Sequence, residues 1–190
     1  ELFVPLAEQT GLIDQLTQWV LSAALRQMKC WHDLHLDFRV SVNLSALTLH
    51  DLSFPAIVAA ELNKWQVEPH RLVLEVTESA IILDSARAIE IISRLDAMGM
   101  MVSVDDFGTG YTSLAYIRRL PIREIKIDKS FILNMRDNAD DAVIVRTIMG
   151  LGHSLGLEVV AEGIEDDVTF ELLRALNGEL GQGYSMGRPV

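Results

Sequence analysis

Two rhythms of apolar and polar residues alternate along this chain. Short apolar runs, four to seven residues long, are followed by polar turns and then by stretches whose apolar residues recur every three or four positions. The first rhythm predicts strands and the second amphipathic helices. A helix is expected from about Leu12 to Trp31, with Leu12, Leu16, Trp19 and Ala23 on one side. A strand at Phe38–Leu44, a helix at Phe54–Trp65 and a strand at Leu72–Val76 follow. Ala88, Ile91, Ile92, Leu95 and Met98 mark the next helix, which Gly99 ends. Strand Met101–Val104, helix Ser113–Leu120 and strand Glu124–Ile127 come next. Ile144, Ile148, Leu151 and Leu155 define a helix stopped at Gly156. Strand Leu157–Ala161, helix Asp166–Leu176 and a last strand near Leu180–Tyr184 complete the pattern.

Strands alternating with helices imply a parallel sheet. Such a set fits an open doubly wound sheet or part of a (β/α)8 barrel. A complete barrel takes about 250 residues and eight strands, so 190 residues fall roughly two strands short. Neither a linker nor a low-complexity stretch interrupts the pattern, and residues 1–190 read as one domain.

Composition narrows the chemistry. Hydrophobic residues make up 49% of the chain, enough for a sizeable core. No run approaches the roughly 18 apolar residues of a membrane span, and the opening residues lack a leader pattern. Cys30 is the single cysteine, which excludes an internal disulfide and a multi-cysteine metal site. It shares a predicted helix face with Leu12 and reads as a small buried hydrophobe. The formal charge of −11 makes a nucleic acid polymer a poor partner. An acidic domain that handles a phosphate substrate needs divalent cations to offset repulsion.

The residues at the strand ends carry the strongest signal. The successive strands deliver Asn43; Glu78; Asp105 and Asp106; Lys126 and Asp128; Glu162; and Gln182. In barrels, the C-terminal edge of the strands is where active sites are built. A polar strand end is ordinary by itself, because the chain is leaving the core, but an unbroken series calls for another explanation. Asn43, Glu78, Asp105 and Asp106 are hard oxygen donors suited to Mg²⁺ or Mn²⁺ rather than zinc. Adjacent side chains on a strand face opposite ways, so Asp105 and Asp106 converge only where the backbone turns. Gly108 and Gly110 provide for such a turn. Lys126 supplies a cation for a phosphate oxygen or a nucleophilic hydroxide. Two metals stabilising the attacking and leaving oxygens are an established solution for phosphodiester hydrolysis.

Other features point less firmly. Gly108-Thr109-Gly110 lies between a strand and a helix but lacks the Gly-Lys-Ser/Thr ending of a P-loop and the full dinucleotide fingerprint. His32 and His35 sit in a polar connector without further ligands nearby, and a solvated loop is expected there. His153 falls inside a helix as a packing or surface residue. No Ser-His-Asp set stands out.

Ser41-Val42-Asn43-Leu44-Ser45-Ala46, Thr77-Glu78-Ser79, Asp105-Asp106-Phe107-Gly108-Thr109-Gly110-Tyr111, Lys126-Ile127-Asp128, Ala161-Glu162-Gly163 and Gln182-Gly183-Tyr184 resemble, in order, the motifs of the EAL domain family. Val4-Pro5-Leu6-Ala7-Glu8 is similar to the segment after the family's namesake Glu-Ala-Leu motif. The resemblance covers essentially the whole chain. It implies a TIM-like (β/α)8 barrel, here lacking about two N-terminal strands, that hydrolyses c-di-GMP to linear pGpG with two divalent cations, Mg²⁺ or Mn²⁺. By the same resemblance Asn43, Glu78 and Asp105 hold the first metal, while Asp105 bridges to the second, joined by Asp106. Lys126 contacts the attacking water or the scissile phosphate, Glu162 orients water as a candidate general base, and Gln182 supports the water shell. Asp128 shapes the substrate pocket beside Asn43. Phe107, Gly108, Thr109, Gly110 and Tyr111 form the loop that links metal binding to dimerisation. A cytoplasmic setting, a homodimer and upstream sensory or signalling domains in the parent protein are implied as well.

The chain departs from the family in a few places. The Glu-Ala-Leu motif is absent, and its glutamate is a first-metal ligand in the family. Residues 1–190 by themselves are therefore expected to bind metal weakly and turn over little. Thr112 stands for a common Ser, and Thr48 stands where Gln is common, which weakens substrate contacts. The competing expectations are a degenerate EAL domain that binds c-di-GMP as a sensor and a dimerisation module without catalysis. The intact ligand positions favour catalysis.

Overall fold

The computed structural model of the chain describes residues 3–110 and 114–188, with the side chains of 114 and 115 left aside. Two compact units divide it: Glu1–Val102 with Arg119–Pro121, and Ser103–Arg118 with Ile122–Val190.

In the first unit, helices α1 (Phe3–Thr10) and α2 (Ile13–Asp33) precede strand β1 (Val40–Leu44). Helices α3 (Ala46–Leu49) and α4 (Phe54–Trp65), strand β2 (Leu72–Thr77) and helices α5 (Glu78–Leu83) and α6 (Ser85–Ala97) follow. β1 and β2 run parallel, with Asn43 opposite Glu75. Residues Leu72 to Leu74 and Val76 are all buried, as expected of a strand covered on both faces. The helix predicted from about Leu12 occurs as α2, but it buries a different stripe. Ile13, Thr17, Leu21, Leu25 and Met28 face inward, whereas Leu12 and Trp19 are 51% and 69% exposed. Two apolar stripes compete on this helix, and the one carrying Leu21 and Leu25 meets the sheet. Each such leucine contributes about 1.5–3 kcal/mol by full burial. The expectation for Cys30 is corrected for the same reason: it lies on the outward side of α2 and is exposed.

The second unit contains most of strand β3 (Met101–Phe107), helix α7 (Leu114–Ile117), strand β4 (Glu124–Ile127) and helices α8 (Lys129–Asn134) and α9 (Ala139–Leu155). Strand β5 (Glu158–Glu162), helix α10 (Asp167–Ala175) and strand β6 (Leu180–Gln182) complete it. The strands pair in parallel and in sequence order, β3 with β4, β4 with β5 and β5 with β6. Ile125, Ile127, Val145 and Ile132 are fully buried in its core. α9 ends at Gly156 in the left-handed conformation, where the sequence pattern predicts its stop. Among the described residues no helix is long and apolar enough to cross a membrane.

Candidate active site

Each unit presents polar residues where its strands end. In the first, β1 alternates: Val42 and Leu44 are buried, while Ser41 and Asn43 are exposed. Glu78 is the first residue of α5 rather than the end of β2, and only 3% of it is exposed. Thr77 caps that helix by accepting a hydrogen bond from the Ala80 N–H at 3.3 Å. The short helix therefore follows directly from the Thr-Glu-Ser sequence and seats the Glu78 carboxylate inside the unit. Thr48 is buried as well, 3.0 Å from the Ser45 hydroxyl and 3.4 Å from that of Thr17. It belongs to the network that caps α3, its N–H donating to the Ser45 hydroxyl at 3.1 Å.

The second unit brings charged residues into contact. Lys126 on β4 is 4% exposed. Its Nζ lies 2.5 Å from Glu162 Oε1 and 3.7 Å from Asp105 Oδ1. One buried ammonium thus joins the ends of β3, β4 and β5. Gln182 is the register partner of Glu162 across β5 and β6, which sets it beside the cluster with its side chain exposed.

Asp105 and Asp106 are separated by a change in the backbone. The register between β3 and β4 shifts between Val104 and Phe107, and Asp106 has φ +53°. The backbone departure anticipated at Gly108 and Gly110 begins two residues earlier, at Asp106 itself, although β3 runs on to Phe107. The Asp106 N–H donates to Asp105 Oδ1 at 2.9 Å, and the Thr109 hydroxyl donates to the Asp106 carbonyl at 2.8 Å. Gly108 follows at φ +99°, where a Cβ would lie 2.9 Å from Ile148 Cδ1. Burial pushes the Asp106 carboxyl above the ordinary Asp range, and the neighbouring charges of Asp105 and Asp128 push it further. Asp128 caps α8, accepting from the Ser130 N–H at 2.9 Å and from the Ser130 hydroxyl. Of the loop residues, Phe107 is buried in the core and Thr109 and Gly110 are exposed, while Tyr111 lies outside the described residues, as does Thr112.

The structure thus brings together Asp105, Asp106, Lys126, Asp128 and Glu162, with Gln182 alongside, in one unit, and holds Asn43 and Glu78 in the other. Sequence reasoning passed over Glu75 inside β2 and Glu124 at the start of β4, which are 5% and 7% exposed. A charged residue inside an apolar run was the available signal. His32 lies in the last turn of α2 rather than in a connector, with its Nδ1 3.3 Å from Arg71 Nη1, and His153 is exposed on α9.

Among the described residues no group of three or more His, Cys, Asp or Glu stands in metal-holding geometry. The donor chemistry still fits a hard divalent cation. Asp105, Asp106, Asp128 and Glu162 offer oxygens only, and Asp105 and Asp128 crowd Asp106 with like charge in addition to its burial.

Parallel strands alternating with helices, with a polar cluster at the strands' C-terminal ends, define an α/β protein of the barrel type. The chain belongs to the EAL domain family, whose model matches residues 1–189. It is 46% identical over 99% of its length to the bifunctional diguanylate cyclase/cyclic di-GMP phosphodiesterase MucR of Pseudomonas aeruginosa, and spans 28% of that protein. It is 41% identical over 99% of its length to the cyclic di-GMP phosphodiesterase NbdA of the same organism, spanning 24% of it. A solved structure of the MucR phosphodiesterase in complex with c-di-GMP superimposes with a TM-score of 0.96 at 46% identity, covering 99% of this chain and 76% of that one. The fold class is accordingly α/β, of the TIM-like barrel type found in EAL structures.

Proposed function

We propose that this EAL domain hydrolyses c-di-GMP to linear pGpG. The observation that carries the reading is the buried Lys126 held between Glu162 and Asp105. A buried ammonium at strand ends with carboxylates on two sides suits a dianionic substrate that must be both attracted and attacked. The names of MucR and NbdA support the same substrate.

Asn43, Glu78, Asp105 and Asp106 would hold two divalent cations, Mg²⁺ or Mn²⁺. When bound, such cations supply charge neutralisation and activation of water. Glu162 then accepts a proton from water whose oxygen forms the new bond to phosphorus. The bond from phosphorus to the ribose O3′ breaks, and O3′ leaves as a hydroxyl after taking a proton from solvent water. Lys126 offsets the charge that grows on the phosphoryl oxygens. Gln182, beside Glu162, orients the water, and Asp128 and Asn43 contact the substrate. The family resemblance supports a cytoplasmic protein that works as a homodimer with upstream signalling domains.

The test is product analysis with the full-length protein in Mn²⁺ and H₂¹⁸O. The expected result is pGpG with one ¹⁸O on its terminal phosphate. Binding of c-di-GMP without any turnover in either metal would overturn the catalytic assignment.

A further inference from the structure

The second apolar stripe of α2 has no part in the core or in the proposed chemistry. Its Trp19 is 69% exposed. α4 packs beside α2, and a recess of about 120 Å³ opens among Trp19, Ser22, Ala23 and Arg26 of α2 and Trp65 at the end of α4. The Trp65 Nε1–H donates to Ser22 Oγ and to Glu61 Oε2, each at 3.2 Å, which pins that indole against α2. Ser22 and Ala23 are the small residues between two bulky ones, Trp19 and Arg26, one turn to either side.

The charges around the recess are unevenly engaged. The Glu61 side chain is 20% exposed and accepts from Lys64 Nζ at 2.9 Å as well as from Trp65. Lys64 itself stands 5.3 Å from the centroid of the Trp65 ring. Among the described residues Arg26 is exposed without an ion pair, and the Trp19 indole N–H has no hydrogen bond. The charge the recess offers a partner is therefore positive, although the chain as a whole carries −11. Its volume sets the class of partner. It is smaller than the roughly 300–1,000 Å³ of small-molecule pockets and close to the roughly 150 Å³ that holds one benzene ring, so it takes a single side chain of something larger.

We propose that this groove between α2 and α4 docks an acidic amphipathic helix of a partner protein. Two indoles and a guanidinium around one small recess have the make-up of an interface hot spot, where Trp and Arg are enriched. Trp19 and Arg26 are seven residues apart, about 10 Å along the axis of α2, with the recess between them. A helix lying along α2 seats an apolar side chain in the recess and sets a carboxylate one turn on, about 5 Å away, at Arg26. The small side chains of Ser22 and Ala23 let it approach. This site stands apart from the phosphodiesterase reading, since none of its residues belongs to the catalytic cluster.

Fluorescence anisotropy of a labelled peptide titrated with the full-length protein tests this. The probe is a synthetic amphipathic helix of about 18 residues, or five turns, with Leu on one face and Glu flanking it. Its counterpart carries Lys in place of Glu. Wild-type protein should bind the Glu peptide roughly 10-fold more tightly than the Lys peptide, the worth of one close charge pair. Trp19→Ala should weaken the Glu peptide roughly 30-fold or more, as truncation of a hot-spot residue does. Arg26→Glu should reverse the order of the two peptides, which loss of packing alone would not do. Melting temperatures and c-di-GMP turnover should be unchanged in both variants. Wild-type protein that binds neither peptide, or prefers the Lys peptide, overturns the proposal. So does unchanged affinity in Trp19→Ala, or an order of peptides that survives Arg26→Glu. Binding to anionic phospholipid vesicles in place of the Glu peptide, lost in both variants, would make the groove a membrane contact and overturn it as well.

Discussion

Replacing Lys126 with methionine should damage folding and turnover together, for one reason. The ammonium is 2.5 Å from Glu162 Oε1 and 3.7 Å from Asp105 Oδ1, and the three side chains are 5%, 17% and 15% exposed. Methionine keeps the length of the side chain and removes the charge, so two carboxylates lose their nearest cation in a poorly solvated place. Removing one partner from a buried ion pair costs about 3–5 kcal/mol. For a chain of this size each kcal/mol lowers the melting temperature by about 2–4 °C, so a drop of about 6–20 °C is expected. Loss of a donor aimed at developing charge lowers kcat by about 10²–10³. The two effects separate in the double variant Lys126→Met with Glu162→Gln. Neutralising Glu162 removes the orphaned charge, so the melting temperature should recover while kcat stays low. Thermal melts and saturating rates on wild type, single and double variants make the measurement. Wild-type kcat in Lys126→Met would refute the catalytic role. A double variant no more stable than the single one would refute the charge argument.

Other expected outcomes are independent of that pair. Stripping divalent cations with EDTA should stop c-di-GMP turnover and re-adding Mn²⁺ should restore it; Asp105→Asn should abolish turnover with the metal present, and steady turnover in EDTA would refute the metal assignment. Gly108→Ala should cost about 1–3 kcal/mol, because φ +99° strains any L side chain and the new Cβ meets Ile148 and Phe131; an unchanged urea midpoint would contradict it. Asp166 caps α10 by accepting from the Thr169 N–H at 2.7 Å, and that bond holds its carboxyl below the ordinary Asp range. A folded-state pKa below the unfolded value of about 3.9 gives stability that is present above that value and lost as pH falls through the folded one. The melting temperature of Asp166→Ala should therefore sit below wild type at neutral pH and converge with it in acid; a gap constant across pH would refute the cap.

The long periodic elements were legible because burial and propensity agree in them. The helix predicted over Phe54–Trp65 and the strand over Glu124–Ile127 occur with those bounds. Besides α1, which was not anticipated, the misses were short helices directly after strands, α3, α5 and α8. Each begins at a capping residue, Ser45, Thr77 or Asp128, whose side chain accepts a backbone N–H of the first turn. Four to six residues are too few to show helical periodicity, so only the cap marks them. The inverted face of α2 had a different cause. Its sequence contains two apolar stripes, and only the packing partner decides between them.

The candidate site was legible as a list of residues but not as a shape. A polar residue that breaks off an apolar run is visible in one dimension, which is why Asn43, Asp105, Lys126 and Glu162 stood out. The backbone step between Asp105 and Asp106 left no such mark. Pleated geometry alone would send the two carboxylates to opposite faces. The register shift and the left-handed φ of Asp106 break that alternation. Asp105 is thereby aimed at Lys126, while Asp106 is left facing Asp128. A left-handed residue costs about 1–2 kcal/mol, less for Asp than for bulkier side chains. Here the Asp106 N–H, turned onto Asp105 Oδ1, and the Thr109 hydroxyl on the Asp106 carbonyl offset part of it. Neither the burial of Phe107 nor the pairing of β3 with β4 requires two adjacent acids at this step. A strained backbone that places one acid against a cation and crowds the other against a third carboxylate fits the proposed divalent cations and phosphodiester substrate better than it fits packing.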